Sequence, residues 1–167
     1  RQWLKHFKGG SMYIFGSHLI DLVVSILGKP EKVYPFIKQT GFEGVYSDDN
    51  NFAVLEYDKA IARITNLSVE VNGWGMRRFA VMGSKGTVEI KPIELNVEMT
   101  KSTTDIASNA YQDMKEKVDI KDVPTLSRYD EMLMDFYKSV IGEKENPYSY
   151  EHELAVQKTL CRVVGEN

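Results

Sequence analysis

The sequence predicts an α+β fold in which helices cover one face of a mainly antiparallel, open sheet. Strand patterns fill the chain from Asn51 to Met99 and are joined by short turns. Such turns cannot form the crossover that parallel neighbours need, so consecutive strands must be antiparallel. Two amphipathic patterns, from Thr125 to Ile141 and after Ser149, predict helices that pack on the sheet.

The composition indicates one globular domain over residues 1–167. Hydrophobic residues make up 43% and charged residues 27% of the chain, and the formal net charge is -3 with no basic run. This charge argues against a nucleic-acid partner, and no apolar run approaches the ~20 residues that cross a bilayer. The only cysteine, Cys161, excludes an internal disulfide and a cysteine-based metal site. A cytoplasmic location is favoured.

The N-terminus suggests a piece of a longer protein. The chain starts at Arg1 without an initiator methionine, inside an apolar pattern that contains Trp3 and Phe7. We interpret residues 1–10 as an arm that connects this domain to an upstream one. With that upstream segment out of view, the location of the whole protein stays open.

The stretch from Lys8 to Asp21, KGGSMYIFGSHLID, places an imidazole at the start of an apolar helix. Ser17 is the predicted N-cap, and the helix from Leu19 to Leu27 should end at Gly28 before Pro30. His18 and Asp21 lie one turn apart on the same face, so the carboxylate can orient the imidazole and favour its charged form. The alternative is that His18 is a satisfied polar residue at a helix end.

The segment after this helix predicts an edge strand and a loop. Glu31 to Gln39 reads as a strand that Pro35 confines to an edge or a bulge. Gly41 to Asn51 is polar and glycine-containing, which is typical of a loop. Its acidic residues Asp48 and Asp49 are expected to be solvated rather than to bind a metal.

Two hairpins follow. Phe52 to Tyr57 and Ala60 to Val71 are joined by Asp58-Lys59. Met76 to Met82 leads through Gly83-Ser84-Lys85-Gly86 into Thr87 to Lys91, with Gly86 expected at a positive-φ position.

The remaining strands are short and are separated by polar chain. Ile93 to Met99 reads as another strand, and residues 100–124 as a polar excursion with one short strand, Lys117 to Ile120. Gly142 should end the first C-terminal helix. Ser149 should cap the second, where His152 completes the helix N-terminus.

Catalytic and metal motifs with strong spacing signals are missing from this sequence. It contains no HxxxH or HExxH pair, no GxSxG elbow, and neither phosphate-loop form, GxxxxGK[ST] or GxGxxG. No metal site is therefore expected. Arg77 and Arg78 are adjacent on a predicted strand, so their side chains should point to opposite faces. One of them can point toward a site on the sheet, although a surface salt bridge is the more frequent outcome.

The order of motifs resembles the C-terminal domain of the Gfo/Idh/MocA family of nicotinamide-dependent oxidoreductases. The similarity covers nearly the whole chain: the glycine pair, then GSHLID, LGKPEKV, AVLEY and GSKGTVEI, a long helix containing DF, and NPYSYEHELAVQKTL. The resemblance implies a fold like the C-terminal domain of glyceraldehyde-3-phosphate dehydrogenase. It also implies a two-domain parent whose absent N-terminal Rossmann domain binds NAD or NADP, so no cofactor should bind to this fragment.

The resemblance further implies a role in substrate binding and oligomerisation. Family members act on sugars, inositols and related polyols, and they associate through an open sheet face. His18 matches the histidine that takes part in proton transfer, and Asp21 matches an acidic position that supports the helix. Candidate substrate-binding residues are Lys8, Tyr13, Arg77 and Arg78.

One departure from the family pattern weakens the catalytic interpretation. Ile14 stands four residues before His18, where the family has an aspartate, and an isoleucine cannot accept a proton. The fragment should not turn over substrate by itself. Two alternatives therefore stay open: a non-catalytic assembly or ligand-binding module, and an NAD-using glycosidase on the same scaffold.

Overall fold

The computed structural model describes residues 2–93, 97–106, 115–118 and 129–166. Within them the strands are β1 Lys32–Lys38, β2 Asn50–Glu56, β3 Ile61–Leu67, β4 Phe79–Gly83, β5 Gly86–Ile90, β6 Met99–Thr103 and β7 Glu116–Val118. The α-helices are α1 Ser17–Leu27, α2 Gly73–Met76, α3 Asp130–Val140 and α4 Tyr150–Val163. A 3₁₀ helix, Gln2–His6, lies in the predicted arm, and a π-helical turn, Met12–Gly16, runs directly into α1.

The chain forms two compact units, one from Arg1–Glu70 with Glu145–Asn167 and one from Val71–Lys144. The first contains a three-stranded sheet in the order β1-β2-β3, and the second a four-stranded sheet in the order β4-β5-β6-β7. Every pairing between the described strands is antiparallel. The predicted α+β class with a mainly antiparallel sheet is confirmed, although the described strands belong to two sheets.

The first sheet follows the sequence pattern closely. β1 lies at the edge of this sheet. Pro35, which has no backbone N–H to donate, is tolerated there because one side of an edge strand has no neighbouring strand. The N–H of Tyr57 donates to the carbonyl of Ala60 at 3.0 Å and closes the β2–β3 hairpin. The second strand of this hairpin ends at Leu67, before the predicted limit of Val71.

The core of the first unit lies between this sheet and two helices. Ala53, Leu55 and Ile64 face Ile20 and Val24 of α1 together with Leu160 and Val163 of α4. All of these side chains are buried. Helices α1 and α4 therefore cover one face of this sheet, as predicted for the helix after Ser149. The apolar stripe predicted from Thr125 to Ile141 is exposed on α3.

The β4–β5 hairpin has a tighter turn than predicted. Gly83 pairs with Gly86, so Ser84 and Lys85 alone form the connection. The prediction of a positive φ at Gly86 is wrong, because Gly86 is not among the glycines with positive φ. A Cβ at this position would lie 2.5 Å from the carbonyl oxygen of Ser102 in β6, so close strand packing explains the glycine.

Two other strand predictions were displaced along the chain. The strand expected from Ile93 to Met99 begins only at Met99 and continues to Thr103, inside the stretch expected to be irregular. The short strand expected from Lys117 to Ile120 is present as Glu116–Val118. Residues 94–96 and 119–120 lie outside the described residues.

The predicted C-terminal helices are present. α3 occupies Asp130–Val140 and is followed by Gly142 at φ 78°, while residues 125–128 are outside the described range. The apolar stripe of α3 is exposed: Tyr129, Leu133, Phe136, Tyr137, Val140, Ile141. Ser149 caps α4 by accepting a hydrogen bond from the backbone N–H of His152 at 3.2 Å. None of the helices among the described residues has the length and apolar character needed to cross a membrane.

Candidate functional site

His18 is the second residue of α1 and its side chain is exposed. Within the described parts of the chain, its ring makes no hydrogen bond. The predicted N-cap role of Ser17 is wrong, because the helix already includes Ser17 and the π-helical turn continues into it. The Ser17 hydroxyl instead donates to the carbonyl oxygen of Ile14 at 3.0 Å. His18 is thus presented to solvent by a continuous helical segment.

Asp21 does not bond to His18 but to a histidine far away in the chain. Its Oδ1 lies 2.7 Å from Nε2 of His152 in α4. The His152 side chain is 19% exposed and that of Asp21 is 44% exposed, so the pair is half-buried. An ionised carboxylate can only accept, so Nε2 of His152 must carry the hydrogen. Asp21 therefore links α1 to α4.

The segment before the π-helical turn is held by one aspartate, in an arrangement that we call the Asp48 clamp: Asp48, Asn51 and Gly9–Ser11. The Asp48 carboxylate accepts from the backbone N–H of Gly9 at 2.8 Å. Its carbonyl oxygen accepts from the N–H of Ser11 at 3.2 Å and from the amide of Asn51 at 2.9 Å. The clamp therefore holds the backbone of the segment that leads into α1 and His18.

The expectation that Asp48 and Asp49 are solvated is wrong. Asp49 is buried, and its carboxylate accepts from the backbone N–H and the hydroxyl of Thr40 at 2.9 and 2.7 Å. The second carboxylate oxygen of Asp48 accepts from the amide of Gln39 at 3.0 Å. Both aspartates satisfy backbone groups of neighbouring loops, which is a common structural use of a short acidic side chain.

The glycine pair at the clamp does not form a dinucleotide cradle. Gly9 and Gly10 have φ of 75° and 48°, and the space above them is filled. A Cβ on Gly9 would lie 2.3 Å from Val164, and one on Gly10 would lie 2.3 Å from the carbonyl oxygen of Asp48. A pyrophosphate needs open backbone N–H groups at a helix N-terminus. These residues therefore do not fit the phosphates of NAD(P).

The predicted substrate-binding residues of the first unit both have structural partners. The Lys8 ammonium donates to the carbonyl oxygen of Gly165 at 2.6 Å, just after α4. The Tyr13 ring stacks on Phe7 with their centroids 6.0 Å apart. Lys8 and Tyr13 thus both lie in the segment that leads to His18.

Arg77 and Arg78 lie in the second unit and precede β4, so the expectation that both lie on a strand is wrong. The Arg77 guanidinium lies over the Trp74 ring at 4.2 Å from the centroid. Nε of Arg78 lies 3.3 Å from a carboxylate oxygen of Glu89.

The sequence predicted other roles for His152 and Asp48, and it did not point to Asn51. Asp21 and His152 are 131 residues apart, so no local pattern could connect them. Asn51 is 1% exposed although it is polar, and it lies within β2, which begins two residues before the predicted start at Phe52.

Glu151, in the first turn of α4, is hydrogen-bonded at the start of the helix. The pKa of the Glu151 carboxyl lies below its usual value because its own backbone N–H and then the Ser149 hydroxyl donate to it. Among the described residues, no group of three or more His, Cys, Asp or Glu side chains is arranged to hold a metal ion.

Residues 1–164 match the family model described as "Oxidoreductase family, C-terminal alpha/beta domain". No curated protein sequence matches the chain closely enough to serve as a relative.

Solved structures share the fold at low sequence identity. A candidate NADPH-dependent oxidoreductase from Desulfitobacterium hafniense is 16% identical, with a TM-score of 0.71 over 93% of this chain and 45% of that one. A candidate oxidoreductase from Klebsiella pneumoniae is 19% identical, with a TM-score of 0.62 over 90% and 45%. An NAD-binding protein from Listeria innocua is 19% identical, with a TM-score of 0.55 over 95% and 45%. The chain spans about half the length of these proteins.

Proposed function

The chain belongs to the Gfo/Idh/MocA oxidoreductase family as its C-terminal α/β domain, and we propose that it binds substrate and mediates oligomerisation for an NAD(P)-dependent oxidoreductase. The proposed substrates are sugars or polyols. Similar structures are about twice as long as this chain, and one of them is described as NADPH-dependent. We assign the cofactor to a Rossmann half of the parent, because the glycine pair here is closed to phosphate.

The exposed His18 ring on a firmly held helix start is the observation that carries this proposal. An imidazole can exchange a proton with a hydroxyl or carbonyl oxygen near neutral pH. The bound cofactor would supply hydride transfer. His18 would accept the hydroxyl proton during oxidation and return it during reduction. The Asp48 clamp holds the backbone that positions this ring.

Replacing His18 tests the catalytic part of the proposal. In the full-length parent, His18→Ala should lower the turnover of NAD⁺ or NADP⁺ with myo-inositol or D-glucose by about 100-fold, the lower range for general acid–base catalysis. His6→Ala is the matched control, since His6 is also exposed and lies in the predicted arm. Unchanged turnover in His18→Ala with an intact circular dichroism spectrum would remove His18 from the mechanism.

The open face of the first sheet supports the oligomerisation part. Tyr34 and Phe36 of β1 and Ile61 of β3 are exposed there, at 43%, 56% and 76%. Exposed apolar patches of this kind mark association surfaces. We expect the chain to be oligomeric by light scattering, and Phe36→Lys should shift it to the monomer. Ser25→Lys, at an exposed position of α1, is the control. A monomer in the unmodified 167-residue chain would contradict the oligomerisation part of the proposal.

A non-catalytic ligand-binding or assembly module is the second candidate. It is favoured by Ile14, which occupies the position of the family's aspartate, and by the bond between Asp21 and His152. An inactive His18→Ala parent would argue against it. Association without any cofactor-dependent turnover in the unmodified parent would support it.

A further inference from the structure

Two asparagines lie opposite each other on β2 and β3, on the face of the sheet that the helices cover. The strand register pairs Asn51 with Asn66, and the next pair on this face, Ala53 with Ile64, belongs to the core. Asn51 is 1% exposed and Asn66 is half-buried. The pair therefore places two amide side chains at the end of an apolar face.

The side-chain oxygens of both asparagines are buried. Within the described parts of the chain, neither Oδ1 accepts a hydrogen bond. Burying an amide oxygen without a donor is costly, so almost all such atoms in native proteins are bonded to a protein group or to an ordered water. The two oxygens cannot satisfy each other, because both only accept.

The Asp48 clamp determines how the Asn51 amide is oriented. Its Nδ2 donates to the carbonyl oxygen of Asp48 at 2.9 Å and to that of Gly9 at 3.4 Å. Exchanging the nitrogen and the oxygen would place Oδ1 against two carbonyl oxygens, which have no hydrogen to donate. A donor for the Asn51 oxygen therefore has to come from outside the clamp.

The spacing of the strands favours a donor that lies between the two side chains. The N–H of Ser68 donates to the carbonyl oxygen of Asp49 at 2.8 Å, one pair before the first pair of the β2–β3 register. Bonded and unbonded pairs alternate along an antiparallel ladder, so Asn51 and Asn66, two residues further along, also form a bonded pair. The Cα atoms of such a pair are about 5.5 Å apart, and the side chains are further apart than in an unbonded pair. Two oxygens that accept from one water lie about 4.5 Å from each other, which suits this wider spacing.

We propose that one water molecule is bound between Asn51 and Asn66 and donates one hydrogen to each side-chain oxygen. Buried waters typically satisfy polar groups of this kind. The water connects β3 to Asn51, whose Nδ2 donates to the Asp48 carbonyl oxygen, and this oxygen also accepts from the N–H of Ser11. It thereby extends the Asp48 clamp from β2 to β3.

Crystal structures of the 167-residue chain test this water site. In the wild type we expect one water within about 2.5–3.0 Å of both Oδ1 atoms, the range for O–H···O bonds. Asn66→Leu should lose the water, because leucine accepts no hydrogen bond and fills the space. Thr65→Ala is the matched control and should keep the water, since Thr65 is the preceding residue of β3 and is exposed on the opposite face.

Asn66→Asp separates a bridging water from a direct bond between the amides. The carboxylate still accepts but donates nothing, so the water should stay in place. Loss of the water in Asn66→Asp, or a water unmoved in Asn66→Leu, would overturn the bridge.

The wild-type structure by itself is decisive if a variant fails to fold. Side-chain amides in direct contact with no water between them, or another protein group that donates to Asn51 Oδ1, would overturn the proposal. None of these outcomes involves His18 or turnover, so the water site and the proposed function succeed or fail independently.

Discussion

The two faces of the β1–β2–β3 sheet differ in how deeply their side chains are buried. On the face covered by helices, Asn51, Ala53 and Leu55 of β2 are at most 1% exposed. On the opposite face, Phe36 and Ile61 are 56% and 76% exposed. The strand pairs place Phe36 beside Phe52 and Ile61 beside Glu56 on that open face.

One face of this sheet therefore builds the core of the first unit, while the other face exposes its side chains. The covered face contains the core and also Asn51, which belongs to the Asp48 clamp and so to the support of His18. Stability and site geometry therefore depend on the same side of the sheet. The open face combines the exposed rings of Tyr34 and Phe36 with the ion pair between Lys32 and Glu56.

The largest predicted difference between the faces is in stability. Leu55→Ala should lower the free energy of unfolding by about 2–5 kcal/mol, because it removes buried methyl groups and leaves a cavity. Ile61→Ala on the open face should change it by less than about 0.5 kcal/mol. Urea unfolding followed by Trp3 fluorescence, in a Trp74→Phe background, reports the first unit alone. Equal losses would contradict the assignment of the two faces.

The next effect concerns the clamp on the covered side. Asp48→Ala removes the acceptor for the Gly9 N–H and the Gln39 amide, and should cost about 1.5–3 kcal/mol, the range for hydrogen bonds to a charged group. Asp58→Ala, in the exposed β2–β3 turn, is the matched control. Urea unfolding of both variants measures the difference. Asp48→Ala as stable as Asp58→Ala would mean that the clamp contributes little.

Local signals in the sequence predicted most of the elements. Gly28 was expected to end α1, and it does so with φ 74°. Ser149 was expected to cap α4, and its hydroxyl is bonded to the His152 N–H. Short turns determined the antiparallel pairing, because a two-residue connection leaves no other arrangement. Each of these signals depends on residues that are near one another in the chain.

The site depended on contacts that no local signal contains. Asp21 was expected to act on His18 three residues before it, whereas its partner is His152 on another helix. Asp48 looked like a solvated loop residue, because its bond to Gly9 requires the loop to meet a segment 39 residues earlier. Serine is a residue type that often caps a helix, which is why Ser17 was predicted as the N-cap. The π-helical turn before it instead continues as helical backbone, where a cap needs extended backbone.

The smallest predicted effect is the pH dependence of the open face. Glu56 accepts from the Lys32 ammonium at 2.9 Å and from the Tyr34 hydroxyl at 2.8 Å. The bond from Lys32, and then that from Tyr34, holds the pKa of Glu56 below its usual value of 4.5. Glu56 in turn raises the pKa of Lys32 and of Tyr34 above 10.5 and 10.0.

The signs of these shifts define the pH range in which the three groups stabilise the fold. Glu56 stabilises the fold fully above pH 4.5, and this contribution is lost as the pH falls through its lowered pKa. Lys32 and Tyr34 contribute fully below their usual pKa values of 10.5 and 10.0, and these contributions are lost as the pH rises through their raised pKa values. Glu56→Gln should therefore lower the Tm slightly at pH 7 and less at pH 3. Glu70→Gln, an exposed control, should show no such pH dependence. Because the open face is solvated, a Tm difference as large as that of Leu55→Ala would contradict the contrast between the faces.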